Sequence, residues 1–117
     1  MSLPDVFLYL TTTGRTSGEP RRIEIWFVEL GGRYYLVSEK GAASHWVQNL
    51  RKEPRVRFSV GTRTSPALRR AETAAQARTL DGDEDTELAA AVREAMDAKY
   101  GWSEGLVVEL APSRVAG

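Results

Sequence analysis

Two short stretches hold most of the residues whose types and spacing could do chemistry. The first is Gly14-Arg15-Thr16-Ser17-Gly18 followed by Pro20-Arg21-Arg22, which sets three guanidiniums and two hydroxyls on a Gly-bounded loop. Guanidinium forks match phosphate oxygens in pairs, and glycine lets backbone N–H groups approach an anion closely. A hairpin turn with solvated arginines accounts for the same residues, because Gly and Ser populate turns for conformational reasons. The second stretch is Ser38-Glu39-Lys40-Gly41-Ala42, just ahead of Ser44. A strand running through a Gly-containing turn into a helix N-terminus is a natural seat for phosphate or carboxylate. Lys40 would add a point charge there and Gly41 a close backbone approach. An ordinary strand-to-helix connection is the alternative, and no G-x-x-x-x-G-K-[ST] loop occurs.

A third set is aromatic: Trp26, Tyr34, Tyr35, Trp46, Tyr100 and Trp102 could wall a flat heterocycle. Packing is the default role for any one of them. Trp26 stands apart, because alternation puts it with Arg22 and Glu24 on the strand face opposite Ile23, Ile25 and Phe27. The chain has no cysteine and one histidine, His45, which excludes disulfide scaffolds, thiolate nucleophiles and Cys-ligated metal sites. A Ser-His-Asp hydrolase would have to use His45, and no G-x-S-x-G turn accompanies it.

Short elements must position these residues. Val6 to Thr13 is rich in β-branched and aromatic residues and ends in the Gly14–Gly18 turn. Arg22 to Leu30 alternates as a strand, and Gly31-Gly32 turns it into a second strand, Arg33 to Ser38. Ser44 is placed to cap a helix from His45 to Lys52, with Trp46, Val47 and Leu50 as its apolar stripe and Pro54 as its stop. Val56 to Gly61 alternates again. Leu68 to Leu80 fits either a helix, from its alanines, or a strand, from its threonines and polar alternation, and is read as a strand. Asp83 to Asp85 load the start of a helix running to Tyr100, where acidic groups meet a positive helix end. Leu88, Val92, Ala95 and Lys99, with Met96 beside them, mark its inward face. Gly101 ends it, and Leu106 to Leu110 is a last strand. About six antiparallel strands and two helices, over one domain spanning 1–117, predict a small mainly-β barrel, since closure removes exposed edges.

Charge is uneven along the chain although 16 basic and 16 acidic residues cancel. Residues 1–70 hold 12 Lys/Arg against 6 Asp/Glu, a net of +6, and residues 71–117 hold 4 against 10, a net of −6. An anionic ligand is expected to meet the first part. No apolar run is long enough to span a membrane, so a cytoplasmic protein is expected.

Taken together, TTTGRTSGEPRRIEIWFVELGGRYYLVSEKGA and SHWVQNLRKEPRVRFSVG resemble the deazaflavin-dependent nitroreductase family. These are split β-barrel oxidoreductases related to the pyridoxamine-phosphate-oxidase-like flavin proteins. The resemblance rests on T-T-x-G-R-x-S-G-x-P-R, W-F, K-G and W-x-x-N-L-x-x-x-P-x-V, across roughly residues 8–62. It implies a six-stranded split barrel, FMN-binding-like, that holds coenzyme F-420, a deazaflavin with a phosphate and an oligoglutamate tail. FMN in the same barrel is the alternative cofactor. On this resemblance Lys40 and Gly41 lie near the coenzyme's phosphate, with Ser38 and Ala42 in the same turn. Arg15 sits in the G-R loop, Arg21 or Arg22 supplies the basic residue after the proline, and Trp26 lies beside the ring. Trp46, Asn49 and Leu50 match the W-x-x-N-L helix, with Trp46 also counted among the cofactor residues. Glu39 stands where the family more often has a small residue, and Ala42 replaces a frequent glycine.

The implied activity is hydride delivery to a small electron-poor acceptor such as an enone, quinone or nitroaromatic. The cofactor would supply the chemistry and the protein the binding and orientation, which suits a chain with no triad or metal motif. A homodimer is possible on the same resemblance. A non-catalytic flavin or deazaflavin binder is the nearest rival. A nucleic-acid module on the basic half is disfavoured by zero net charge and by arginines shared among turns.

Overall fold

A computed structural model describes residues 6–62 and 72–113. Its strands are β1 (Val6–Thr13), β2 (Pro20–Ile25), β3 (Val28–Leu30), β4 (Arg33–Ser38), β5 (Arg55–Thr62), β6 (Thr73–Thr79) and β7 (Leu106–Pro112). Helix α1 spans His45–Lys52 and α2 spans Thr86–Tyr100, each preceded by a short 3-10 turn, Gly41–Ala43 and Asp83–Asp85.

All strand pairs are antiparallel, in the order β2-β1-β5-β6-β7-β4-β3. The two edge strands, β2 and β3, are consecutive in the chain and joined only by Trp26 and Phe27. A sheet whose edges are two residues apart must curl back on itself. The result is a half-barrel split at that link.

Period-two alternation in β4 and β7 feeds two cores. Leu36, Val108 and Leu110 point into the barrel with Leu8, Leu10 and Phe58, where α1 inserts Val47 and Leu50. Tyr35, Val37 and Val107 point outward and pack with Val28 and Leu80 against Ala89, Val92, Met96 and Tyr100 of α2. One helix therefore fills the barrel mouth and the other covers the outer face of β3, β4 and β7.

Most elements fall where the sequence predicts them. The Gly31-Gly32 hairpin forms with both glycines at positive φ, 60° and 80°, as a tight turn matched to strand twist requires. The stretch Leu68 to Leu80, read as a strand, forms one over Thr73–Thr79, while Leu68 to Ala71 lie outside the described residues.

Three expectations need correction. There are seven strands rather than six, because the predicted strand Arg22 to Leu30 breaks at Trp26-Phe27 where the barrel splits. Trp26 is therefore on the link and not on a strand face with Arg22 and Glu24. Of the residues predicted to face inward on α2, Val92 and Met96 are buried and Leu88, Ala95 and Lys99 only partly so, while Ala89 and Tyr100 complete the buried face. Finally, Ser44 occupies the N-cap position of α1 but makes no capping bond, because its hydroxyl instead meets that of Ser38 at 2.6 Å.

One buried charge organises the outer face. Glu109 of β7 is 1% exposed and sits opposite Tyr35 of β4 and Arg78 of β6 in register. It accepts hydrogen bonds from Arg78 Nε at 2.9 Å, Tyr35 Oη at 2.9 Å and Arg33 Nη1 at 3.3 Å. Arg78 Nη1 also donates to both oxygens of Asp85 at 3.0 and 3.1 Å, tying β6 to the start of α2. Burial alone would raise the Glu109 carboxyl, but the hydrogen bonds from Arg78 and Tyr35 and the nearby guanidiniums hold it below its ordinary 4.5. Tyr35 moves the other way, pushed up to about 12 by burial and by its bond to Glu109.

A carboxyl depressed by folding stabilises the protein above its unfolded value, and that stability is lost as pH falls through the folded one. Glu109→Gln should therefore be less stable than the parent near pH 7 by about 1–3 kcal/mol in urea melts, since both guanidiniums remain partly solvated. The gap should close as pH drops below 4.5. A gap that stays constant down to strongly acidic pH would contradict this role.

Candidate functional site

Two grooves meet on one side of α1. The first, about 750 Å³, is lined by the loop after β1 and by β2: Arg15, Thr16, Ser17, Arg21 and Arg22, with His45 and Asn49 from α1. No carboxylate lines it. The second, about 440 Å³, is lined by Trp26, Trp46 and Trp102, with Phe7, Glu24, Ser38, Glu39, Lys40 and Ser44. Trp46 borders both grooves, and β2 passes from Arg22-Ile23 in one to Glu24-Ile25 in the other.

The arginine loop is fixed to α1 by one buried side chain, that of Asn49. Asn49 is 4% exposed and its side-chain oxygen accepts from Arg15 N at 3.1 Å and Arg15 Nη1 at 2.9 Å. Its amide donates to Thr12 Oγ1 at 3.2 Å, and Lys52 Nζ donates to the Arg15 carbonyl at 2.7 Å. Arg15 Nη2 lies 3.1 Å from His45 Nδ1. Arg15 is thus held against the helix, whereas the exposed Arg21 guanidinium makes no hydrogen bond or ion pair among the described residues. Arg22 lies over the Tyr9 ring, 5.6 Å from its centroid.

The aromatic wall is built at the barrel seam. Neither Trp26 nor Phe27 belongs to a strand, so the Phe27 N–H and C=O lose their ladder partners and must find others. Tyr100 Oη accepts from Phe27 N at 3.2 Å and donates to Phe27 O at 3.0 Å. Lys99 Nζ donates to the same carbonyl at 2.8 Å and sits 4.0 Å from the centre of the Phe27 ring. With the backbone held there, Trp26 stacks on Tyr100 at 4.4 Å and 2° and meets Trp102 at 6.2 Å and 70°. Trp102 rides on the turn after α2, which Arg93 clamps by donating to Ser103 O and Gly105 O, both at 2.7 Å. Gly105 is required in that turn, since a Cβ at φ +139° would collide with the Ser38 carbonyl.

The sequence-predicted residues are divided between the grooves. Arg15, Arg21, Arg22 and Trp46 line one, and Trp26, Ser38, Lys40 and Trp46 line the other. Gly41 and Ala42 line neither; they lie on the 3-10 turn behind Lys40, where the Gly41 carbonyl accepts from Ser38 Oγ at 2.8 Å. Among the described residues no group of three or more His, Cys, Asp or Glu is set to hold a metal. No helix among them is long and apolar enough to cross a membrane.

A comparison with known families settles the class. The family of F420H2-dependent quinone reductases matches residues 2–105. The chain belongs to that family. It is an oxidoreductase of the coenzyme F-420-dependent reductase class, in agreement with the resemblance read from its motifs.

Solved structures bear out the reductase's split-barrel fold. An F-420 reductase is 16% identical with TM-score 0.60, covering 94% of this chain and 88% of that one. A candidate pyridoxamine 5'-phosphate oxidase from Listeria innocua is 18% identical with TM-score 0.67, covering 92% and 84%. A FAD-binding protein from Mesorhizobium loti is 13% identical with TM-score 0.65, covering 95% and 83%.

Sequence reasoning missed Asn49 as a buried clasp, Arg93 as the clamp under Trp102, and Lys99 with Tyr100 as the partners of the seam. For Asn49 the available signal was its place in the same helical stripe as Trp46 and Leu50. Arg93 and Lys99 carry no signal of that kind, because their partners are backbone carbonyls, which no side-chain spacing marks.

Tyr100→Phe keeps the ring stacked on Trp26 but removes both seam bonds of its hydroxyl. It should cost about 1–3 kcal/mol in urea melts, since the Phe27 N–H is left buried without a partner. Tryptophan emission should also shift to the red as the seam admits water. An unchanged midpoint and spectrum would show that the seam does not depend on the hydroxyl.

Proposed function

We propose that the reductase binds reduced coenzyme F-420 across the two grooves and delivers its hydride to a small electron-poor acceptor, an enone, quinone or nitro compound, in the tryptophan cavity. The observation that carries this reading is the shared wall at Trp46, which puts a carboxylate-free groove with three arginines next to an aromatic cavity. That pairing suits a coenzyme with a flat ring at one end and a phosphate and glutamates at the other.

The residues present fit that group. The Arg21 guanidinium and Lys40 ammonium are exposed and make no hydrogen bond or ion pair among the described residues. The first N–H groups of α1 lack a capping side chain and lie between the grooves at Ser44 and His45. Free helix-start donors and unpaired cations are what an anionic group takes up. A cavity of 440 Å³ lies in the range of cofactor and ligand sites.

Bound there, the coenzyme supplies a two-electron hydride donor. Arg15 and Asn49 hold the loop that receives its anionic end, while Arg21, Arg22 and Lys40 neutralise that end. Trp26, backed by Tyr100, orients the ring and acceptor and keeps water from the hydride path. The Ser38 hydroxyl donates to the Gly41 carbonyl and takes the Ser44 proton at 2.6 Å, so this pair braces the turn that carries Lys40.

The test is a titration of oxidised coenzyme F-420 followed by its own fluorescence, with FMN alongside. Micromolar binding of the deazaflavin and weaker binding of FMN are expected. Lys40→Ala and Arg21→Ala should each weaken binding about tenfold, the loss of one charge-assisted bond. Unchanged affinity in both variants would remove these residues from the site, and preference for FMN would change the cofactor.

A further inference from the structure

His45 is the chain's one histidine, the first residue of α1 and an exposed member of the arginine groove. Its Nδ1 lies 3.1 Å from Nη2 of Arg15. A guanidinium can only donate, so Nδ1 carries a lone pair there, which assigns the neutral ring with its proton on Nε2. Arg15 is anchored independently of that ring. Its Nη1 donates to Asn49 Oδ1 at 2.9 Å and to the His45 carbonyl at 3.5 Å, and its backbone N–H donates to the same Asn49 oxygen at 3.1 Å. Nη2 is the arm given to the imidazole, and it can change acceptor without the loop moving.

The charges that face the ring have one sign. The loop after β1 brings Arg15, β2 brings Arg21 and Arg22, and α1 itself brings Lys52, whose ammonium holds the Arg15 carbonyl. No carboxylate is among the described residues that line this groove; Glu24 and Glu39, with Lys40, line the other one. A second proton on the ring is opposed by those cations and by the bond from Nη2. An anion between ring and guanidinium reverses both effects. Its oxygen takes the Nη2 donor, and the released Nδ1 can then bind a proton and donate to the same anion.

We propose that His45 is a proton-linked anion-binding residue, so that the arginine groove takes up a phosphodiester or carboxylate together with one proton on Nδ1. This rests on the reading that the coenzyme's anionic end lies in that groove. The balance is simple: a solvent proton forms one N–H bond, the ring goes from neutral to +1, and no bond of the ligand breaks. The complex then holds one proton more than the separated partners, and proton and ligand favour each other by the same factor. Affinity therefore rises as pH falls from 8, and it levels off once the ring is protonated without the ligand, near histidine's ordinary range of about pH 6–7.

A single histidine makes the test direct, because its imidazole nitrogens can be followed by 15N NMR without overlap. At pH 7.0 the ring should read as the Nε2–H tautomer in the protein alone. With saturating triglutamate or dimethyl phosphate, whose charges are fixed between pH 6 and 8, it should read as doubly protonated. Whichever probe does this names the group that reaches His45, and a ring left neutral by both would overturn the proposal. Calorimetry with oxidised coenzyme F-420 at pH 7.0, in buffers of different protonation enthalpy, counts the protons taken up. The parent should take up roughly 0.5–1 proton more per coenzyme than His45→Gln. Its affinity should also gain about tenfold over the variant's between pH 8 and pH 6, the worth of one charge-assisted bond. A merely structural His45 would lower affinity equally at every pH and leave the proton count unchanged. Coenzyme binding with equal counts in the two proteins would overturn the proposal and leave the reading of the grooves intact. Ring protonation by either probe in a protein that does not bind the coenzyme would support the proton link and overturn that reading.

Discussion

The structure turns on a backbone problem at two residues. A seven-stranded sheet whose first and last members are joined by Trp26-Phe27 cannot continue its hydrogen-bond ladder through the link, yet Phe27 is only 7% exposed. Its N–H and C=O are satisfied by the hydroxyl of Tyr100 and the ammonium of Lys99, at the last turn of α2. That solution places Tyr100 as the plate on which Trp26 stacks, and so the barrel is split at the point where the aromatic wall of the site is made.

The rest of the site is held by clasps of the same kind, side chains that satisfy backbone groups the sheet leaves over. Asn49 fastens the arginine loop to α1, and Arg93 fastens the turn that carries Trp102. Such fixing suits a protein whose reaction is supplied by a cofactor, because its task is to hold two partners at one distance and keep water out. The separation of charge serves the same end. Three arginines stand on one side of Trp46, and Glu24 and Glu39 with Lys40 on the other.

Much of this was legible in the residues. The Gly31-Gly32 hairpin, helix His45–Lys52 and strand Val6–Thr13 are local: turn chemistry and apolar period decide them, and the structure keeps those bounds. The motifs around Gly14, Lys40 and Trp46 led to the family, and the structure sets most of them around α1. What was not legible depends on distant partners. Nothing within Arg22 to Leu30 says that its alternation stops at Trp26, since the break is imposed by sheet closure and Tyr100. Ser44 looks like a cap by local rules, but Ser38 takes its hydroxyl. Glu109 did leave a trace, a carboxylate inside the apolar run Leu106 to Leu110, but its guanidinium partners lie on strands far away in sequence.

The central claim is that one ligand spans both grooves across Trp46. The most direct measurement is a crystal structure of the complex with oxidised coenzyme F-420. The account predicts the ring against Trp26 in the tryptophan cavity and the phosphate and glutamates among Arg15, Arg21, Arg22 and Lys40. A ring seated in the arginine groove, or a coenzyme bound on the α2 side of the barrel, would contradict it.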